Sequence, residues 1–192
     1  MLGWLTHAFA AMCPLADAGS ITRCSVPMSG VELVSRLPLL GSVLYLPTPC
    51  PAQHGLPVSC GWLVARRELA PLFDTRELVA ASMIGVDGPR EWIDCMDAQD
   101  RPCARLHLLP DTDYLAWDAL LGEARPLPAA RLRPEQLVCR AASATLLHFR
   151  HRRLGALRLL ETEPLMRVSA LGRGIASDVA RAAAVELEPA RG

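Results

Sequence analysis

Apolar residues along the chain follow two different periods. From roughly residue 20 to 110 they fall in short runs or strict alternation, interrupted by proline and glycine, which is the pattern of strands. "SITRCSV" reads as a brief extended piece. "GSVLYL", "VSCGWLVA" and the later part of "RELVAASMIGV" read as strands. "EWIDCMD" alternates, with Trp92, Asp94 and Met96 on one face and Ile93 and Cys95 on the other. After the turn "AQDR", "PCARLHLL" returns antiparallel. It points Cys103, Arg105 and His107 one way and Ala104, Leu106 and Leu108 the other. Helical spacing governs the rest. Residues 3–13 carry Trp4, Ala8 and Met12 on one face. "SGVELVSRLP" sets Ser29 three residues before Glu32, a capping-box spacing, and must stop before Pro38. "RRELAPLFD" suits a helical turn. "DYLAWDALLGE" is capped by Asp111 or Thr112, with Tyr114, Trp117, Leu120 and Leu121 as its stripe and Gly122 at its end. Beyond the proline- and arginine-rich linker "EARPLPAARLRPE", the pattern reads as helical almost to the end: "EQLVCRAASATLLHFRH", "LGALRLLE" and "PLMRVSALGRGIASDVARAAAVE".

Strands clustered together with helices segregated from them predict an α+β fold, a mostly antiparallel sheet of about four to six strands flanked by helices. The expected organisation is an α+β half-domain over residues 1–125. A linker and helical C-terminal segment over 126–192 packs on that sheet or on a partner.

Composition narrows the function. The 192 residues are 51% hydrophobic and 21% charged, a globular balance, and the formal net charge is zero, which argues against a general nucleic-acid binder. All twenty basic residues are arginine. Seven cysteines are scattered without a C-x-x-C pair, a spacing that suits neither a zinc site nor a disulfide scaffold but fits reduced thiols in a cytosol. No basic residue precedes the mildly apolar start, as a secretory signal requires, and no run approaches the ~20 apolar residues of a membrane span. The expected location is cytoplasmic. No nucleophile motif or phosphate loop occurs.

The stretch from Arg90 to Leu121, with Asp97 ending a strand, Asp113 at a helix start and "LAWDALL" within the helix, resembles the bacterial haemin-utilisation (haemin-degrading factor) family of the HemS/ChuX type. Upstream, "LPLLGSVLYL" is similar to that family's "LP-x-LG-x-V-x-x-L". Downstream, "LLHFRHRRLGALRLLETEPLMRV" is similar to its helical connector. The resemblance covers one half of the two-half members plus the connector. It implies a HemS/ChuX-like half, haem as ligand, and a homodimer in which two copies take the place of the tandem halves. The family's iron-ligating histidine belongs to the second half, and its aromatic pair before the strand-end aspartate is replaced here by Cys95 and Met96.

Haem needs an apolar slot, an axial ligand and cations for two propionates. His54, in the loop "PTPCPAQHGLP", is the candidate iron ligand. His107 is expected to flank the ligand, and Arg90 and Arg105 to hold propionates. Each has a plainer reading: a loop histidine, a strand histidine and two surface arginines. Cys50-Pro51, a pair that ligates haem in some sensors, is better explained by loop rigidity. His148 and His151 would share one face of the expected helix, set among arginines. The leading expectation is a non-catalytic haem binding or trafficking protein. The alternatives are a structural or regulatory protein that keeps the fold without haem and, third, a haem-degrading enzyme.

Overall fold

The computed structural model describes residues 21–49, 61–85, 88–128, 139–165 and 167–188. In chain order these form β1 (Thr22–Pro27), α1 (Gly30–Arg36), β2 (Ser42–Pro47), β3 (Trp62–Val64), β4 (Glu77–Gly85), β5 (Gly88–Met96) and β6 (Pro102–His107). Then come α2 (Tyr114–Leu120), β7 (Arg125–Pro126), β8 (Ala144–Leu154), β9 (Leu157–Pro164), α3 (Ala170–Ala182) and β10 (Leu187–Glu188). Two 3-10 segments, Leu37–Leu40 and Arg67–Asp74, follow α1 and β3. The architecture is α+β, as expected, with a larger sheet than the pattern suggested.

All ten strands join one sheet in the order β3-β9-β8-β2-β6-β5-β4-β1-β7, with β10 added alongside β8. Pairing is antiparallel except at β3 with β9 and β10 with β8. Strand alternation sorts the side chains into two faces. The first buries Val26, Val43, Tyr45, Leu78, Ile93, Leu106 and Phe149 against Leu33 and Leu37, against Leu69 and Leu72 of the second 3-10 segment, and against Trp117 and Leu120 of α2. Each large side chain fully buried there contributes about 1.5–3 kcal/mol, so this face is the main core. On the opposite face Leu44 and Leu46 pack with Leu109 and with Ile175, Ala176 and Ala180 of α3, and Ile21, Ala81 and Trp92 form a smaller cluster.

Local chemistry explains the elements that position these layers. Ser29 Oγ accepts from the Glu32 backbone N–H at 3.3 Å, and Arg36 pairs with Glu32 one turn away at 2.6 Å. Pro38 then allows only the short 3-10 continuation. Gly30 is required because a Cβ there would lie 2.3 Å from the backbone oxygen of Phe73, so any side chain would push α1 off the second 3-10 segment.

Three expectations are corrected. Residues 144–164 are not part of a helical C-terminal segment; they are the β8–β9 hairpin, and they continue the same sheet beside β2. Leu, Ala and Arg favour helix intrinsically, yet pairing with β2 overrides propensity. Gly155, at φ 62°, opens the two-residue turn Gly155-Ala156 between the paired Leu154 and Leu157, the Gly-X pattern of tight hairpins. His148 and His151 therefore sit on adjacent parts of a strand, bonded to the backbone oxygens of Pro38 and Val34. The family likeness to a helical connector fails over this same stretch. The cap of α2 is Asp113, which accepts from Leu115 and Ala116. Asp111 and Thr112 serve elsewhere. Finally, Cys103 leaves the Arg105–His107 face, because the β5–β6 register shifts at Cys95/Met96 and turns its thiol into the main core beside Thr75 and the Cys95 carbonyl.

Candidate functional site

The alternation of β5 and β6 puts Arg90, Trp92, Asp94, Arg105 and His107 on the sheet face opposite the main core, with Trp92 opposite His107 and Asp94 opposite Arg105. These cross-strand pairs make one polar island in an otherwise apolar surface. Arg105 Nε donates to Asp94 Oδ1 at 2.6 Å and its Nη2 donates to Oδ2 at 3.0 Å, a bidentate fork. The Trp92 indole N–H also donates to Asp94, at 3.3 Å, and the guanidinium carbon of Arg105 lies 5.1 Å from the Trp92 ring centre. The expected propionate arginine is thus already engaged by a carboxylate of its own chain.

His107 is the unusual member. Its ring lies tilted against Trp92 with centroids 5.9 Å apart. It is only 6% exposed, and its Nε2 has no hydrogen-bond partner among the described residues. Burial, reinforced by Arg105 and Arg90, pushes its pKa down to about 3, so the imidazole is neutral throughout the physiological range. A neutral, unpartnered ring nitrogen is the protonation state that ligates iron or another metal, and an unsatisfied buried polar atom is uncommon enough to need an explanation. Cys139 lies in the adjoining cluster with Leu44 and Leu109. Burial raises its thiol to about 11 despite the opposing charge of Arg105, which leaves it a small apolar filler.

Arg90 stands at the rim. It reaches Asp178 of α3 at 3.9 Å, and its side chain is 19% exposed. The structure brings Arg90 onto the same face as Arg105 and His107, the two that the alternation put together. His54 and the Cys50-Pro51 pair lie outside the described residues. Asp94, Trp92 and Asp178 complete the island and were not singled out as site residues. Asp94 and Trp92 were legible as neighbours on the alternating face. Asp178 had no signal, since its place depends on how α3 crosses the sheet.

Elsewhere, a cleft of about 20 Å³ opens on the main-core face between Tyr45, Pro47, Arg66, Glu68, Thr162 and Glu188, room for about one water. Among the described residues no three His, Cys, Asp or Glu side chains gather as a metal site, and no helix is long and apolar enough to cross a membrane. Compared with known proteins, the chain matches no family model, and no curated protein matches it.

Proposed function

We propose that the chain is a non-catalytic binding protein for a flat, apolar, acid-bearing ligand of the haem class, carried as cargo. The observation that supports this is the buried neutral imidazole of His107, whose Nε2 is without a partner among the described residues. Around it, Leu44, Leu46 and Leu109 form an apolar layer buried with Ile175, Ala176 and Ala180 of α3, and Arg90 is tied to Asp178 by a long 3.9 Å contact. The residues fit the ligand in part: His107 suits an iron, Arg90 an acid group, and Arg105 is committed to Asp94. His54 remains a second candidate ligand. A cytoplasmic haem-utilisation role, a HemS/ChuX-like half and a homodimer complete this reading.

A structural or regulatory role without haem is the second reading. The closed Asp94–Arg105–Trp92 network favours it, because a satisfied buried ion pair fixes geometry whether or not a ligand binds. Haemin titration into the pure protein separates the two. A one-to-one Soret shift lost in His107→Ala supports the cargo reading with His107 as ligand; loss in His54→Ala instead assigns the loop. A featureless titration leaves the structural role. Bleaching of the band on adding reductant and oxygen would make the protein a haem-degrading enzyme.

A further inference from the structure

We infer that α3 is a movable cover over His107, and that a ligand reaches Nε2 only when this helix lifts. Strand order and two contacts place the helix over β6. In the sheet, β6 lies between β2 and β5. α3 packs on Leu44 and Leu46 of β2 through Ile175, Ala176 and Ala180, and reaches Arg90 of β5 through Asp178. A helix that packs on β2 and is met by an arginine side chain reaching across from β5 lies over the middle strand, where His107 is paired with both Leu44 and Trp92.

The attachment of this cover is light. Its buried residues are Gly172, Ile175, Ala176 and Ala180, with Val179 and Ala183 half-buried beside them, so mostly small side chains hold it, whereas the opposite face is held by leucines, phenylalanine and tryptophan. Gly174, with open space where a side chain would lie, weakens the helix itself. Two polar ties hold it: the Asp111 carboxylate on Ser169 at its start, and the long contact from Asp178 in its second half to Arg90. After the helix, Ala184 holds a left-handed φ of 54°, a position where glycine is preferred. Elements with few apolar anchors open at lower free energy than the core. Lifting α3 would bare Leu44, Leu46 and Leu109 around His107 and release Arg90 from Asp178, leaving the flat apolar surface, ring nitrogen and cation that the ligand class needs. The identity of the ligand rests on the reading above; the motion of the helix does not.

Two measurements on the full chain test this. Without ligand, amides of residues 173–182 should exchange hydrogen at least tenfold faster than those of β5 and β6, and diethylpyrocarbonate should modify His107 several-fold faster in Asp111→Ala and in Asp178→Ala than in wild type. With haemin, both substitutions should raise the association rate and the apparent affinity by the same several-fold factor, because each enlarges the open fraction. Protection of α3 equal to that of β6, or His107 modification unchanged in both variants, overturns the cover whatever haemin does. Fast α3 exchange without any Soret shift keeps the cover and overturns the haem reading. A Soret shift whose rate ignores both substitutions overturns the route past α3.

Discussion

Asp111 and Ser169, fifty-eight positions apart, are joined through both carboxylate oxygens: the Ser169 backbone N–H donates to Oδ1 at 2.9 Å and its hydroxyl to Oδ2 at 2.8 Å. Ser169 in turn caps α3, its Oγ accepting from Gly172 at 3.0 Å. One acidic side chain from the loop before α2 therefore fixes the start of a helix on the other side of the sheet. Asp113, two residues on, caps α2 itself. Asp111→Ala should cost about 1–2 kcal/mol of stability, read as a lower denaturant midpoint. Asp113→Ala should cost about as much by loosening α2, and should leave α3 exchange unchanged. Equal effects of the two substitutions on α3 would show that the Asp111 bond is not what seats it.

His107 links the site to pH. Its folded-state pKa is depressed to about 3, whereas an unfolded histidine titrates near 6.5. Above about 6.5 both states are neutral and its contribution to stability is complete. As pH falls from there toward 3, the unfolded chain takes up a proton that the folded one refuses, so stability falls by up to ~1.4 kcal/mol per pH unit. His107→Leu removes both the titration and the unpartnered nitrogen. Chemical denaturation at pH 7.5 and pH 5 should show the variant within ~1 kcal/mol of wild type at the higher pH and more stable than wild type at the lower one. A difference between the two proteins that does not change with pH would contradict the buried neutral imidazole.

The Asp94–Arg105 pair allows a cleaner dissection. Both side chains are mostly buried, at 17% and 9% exposed, and the indole of Trp92 shares the carboxylate. Removing one partner strands a charge in a low-dielectric site, at a cost of about 3 kcal/mol or more. Asp94→Leu and Arg105→Met should each destabilise strongly, and the double variant should recover most of the loss. A double-mutant cycle from denaturation curves measures this. Additive losses would mean that each residue acts through separate neighbours.

The sequence revealed the middle of the sheet well and its edges poorly. Alternation along "EWIDCMD" put Trp92 with Asp94, and along "ARLH" Arg105 with His107, because a period of two survives in strands with one face on a core; that the two pairs share a face comes from the register of β5 and β6. Ser29, Pro38 and Gly122 marked helix ends through local chemistry. The β8–β9 hairpin is hidden in the sequence because "ATLLHFRH" is built from good helix formers whose alternation, Leu147, Phe149 and His151 against His148 and Arg150, emerges only once β2 supplies a partner. Its one local signal is the glycine of "LGAL", which opens the turn. The Asp94 fork to Arg105 needs the cross-strand register, which the shift at Cys95/Met96 disguises.

Glu91 tests the packing of α2 from the other face. It lies on β5, and its backbone oxygen accepts from Leu108. Burial, then the like charge of Asp118 on α2, raises its carboxyl to about 7. The sign is opposite to that of His107. Below about 4.5 the carboxyl is neutral in both states and contributes no penalty. As pH rises from 4.5 to 7 the unfolded chain ionises first, so the folded state loses stability, and above 7 the penalty is constant. Glu91→Gln should therefore stabilise the protein at pH 8 and leave it unchanged at pH 4. Asp118→Asn should lower the titration midpoint of Glu91 without abolishing the effect, since burial is the larger cause. Carbon-detected NMR of the Glu91 carboxyl reads that midpoint directly, and an ordinary value near 4.5 in wild type would remove the case for a strained carboxylate beneath α2.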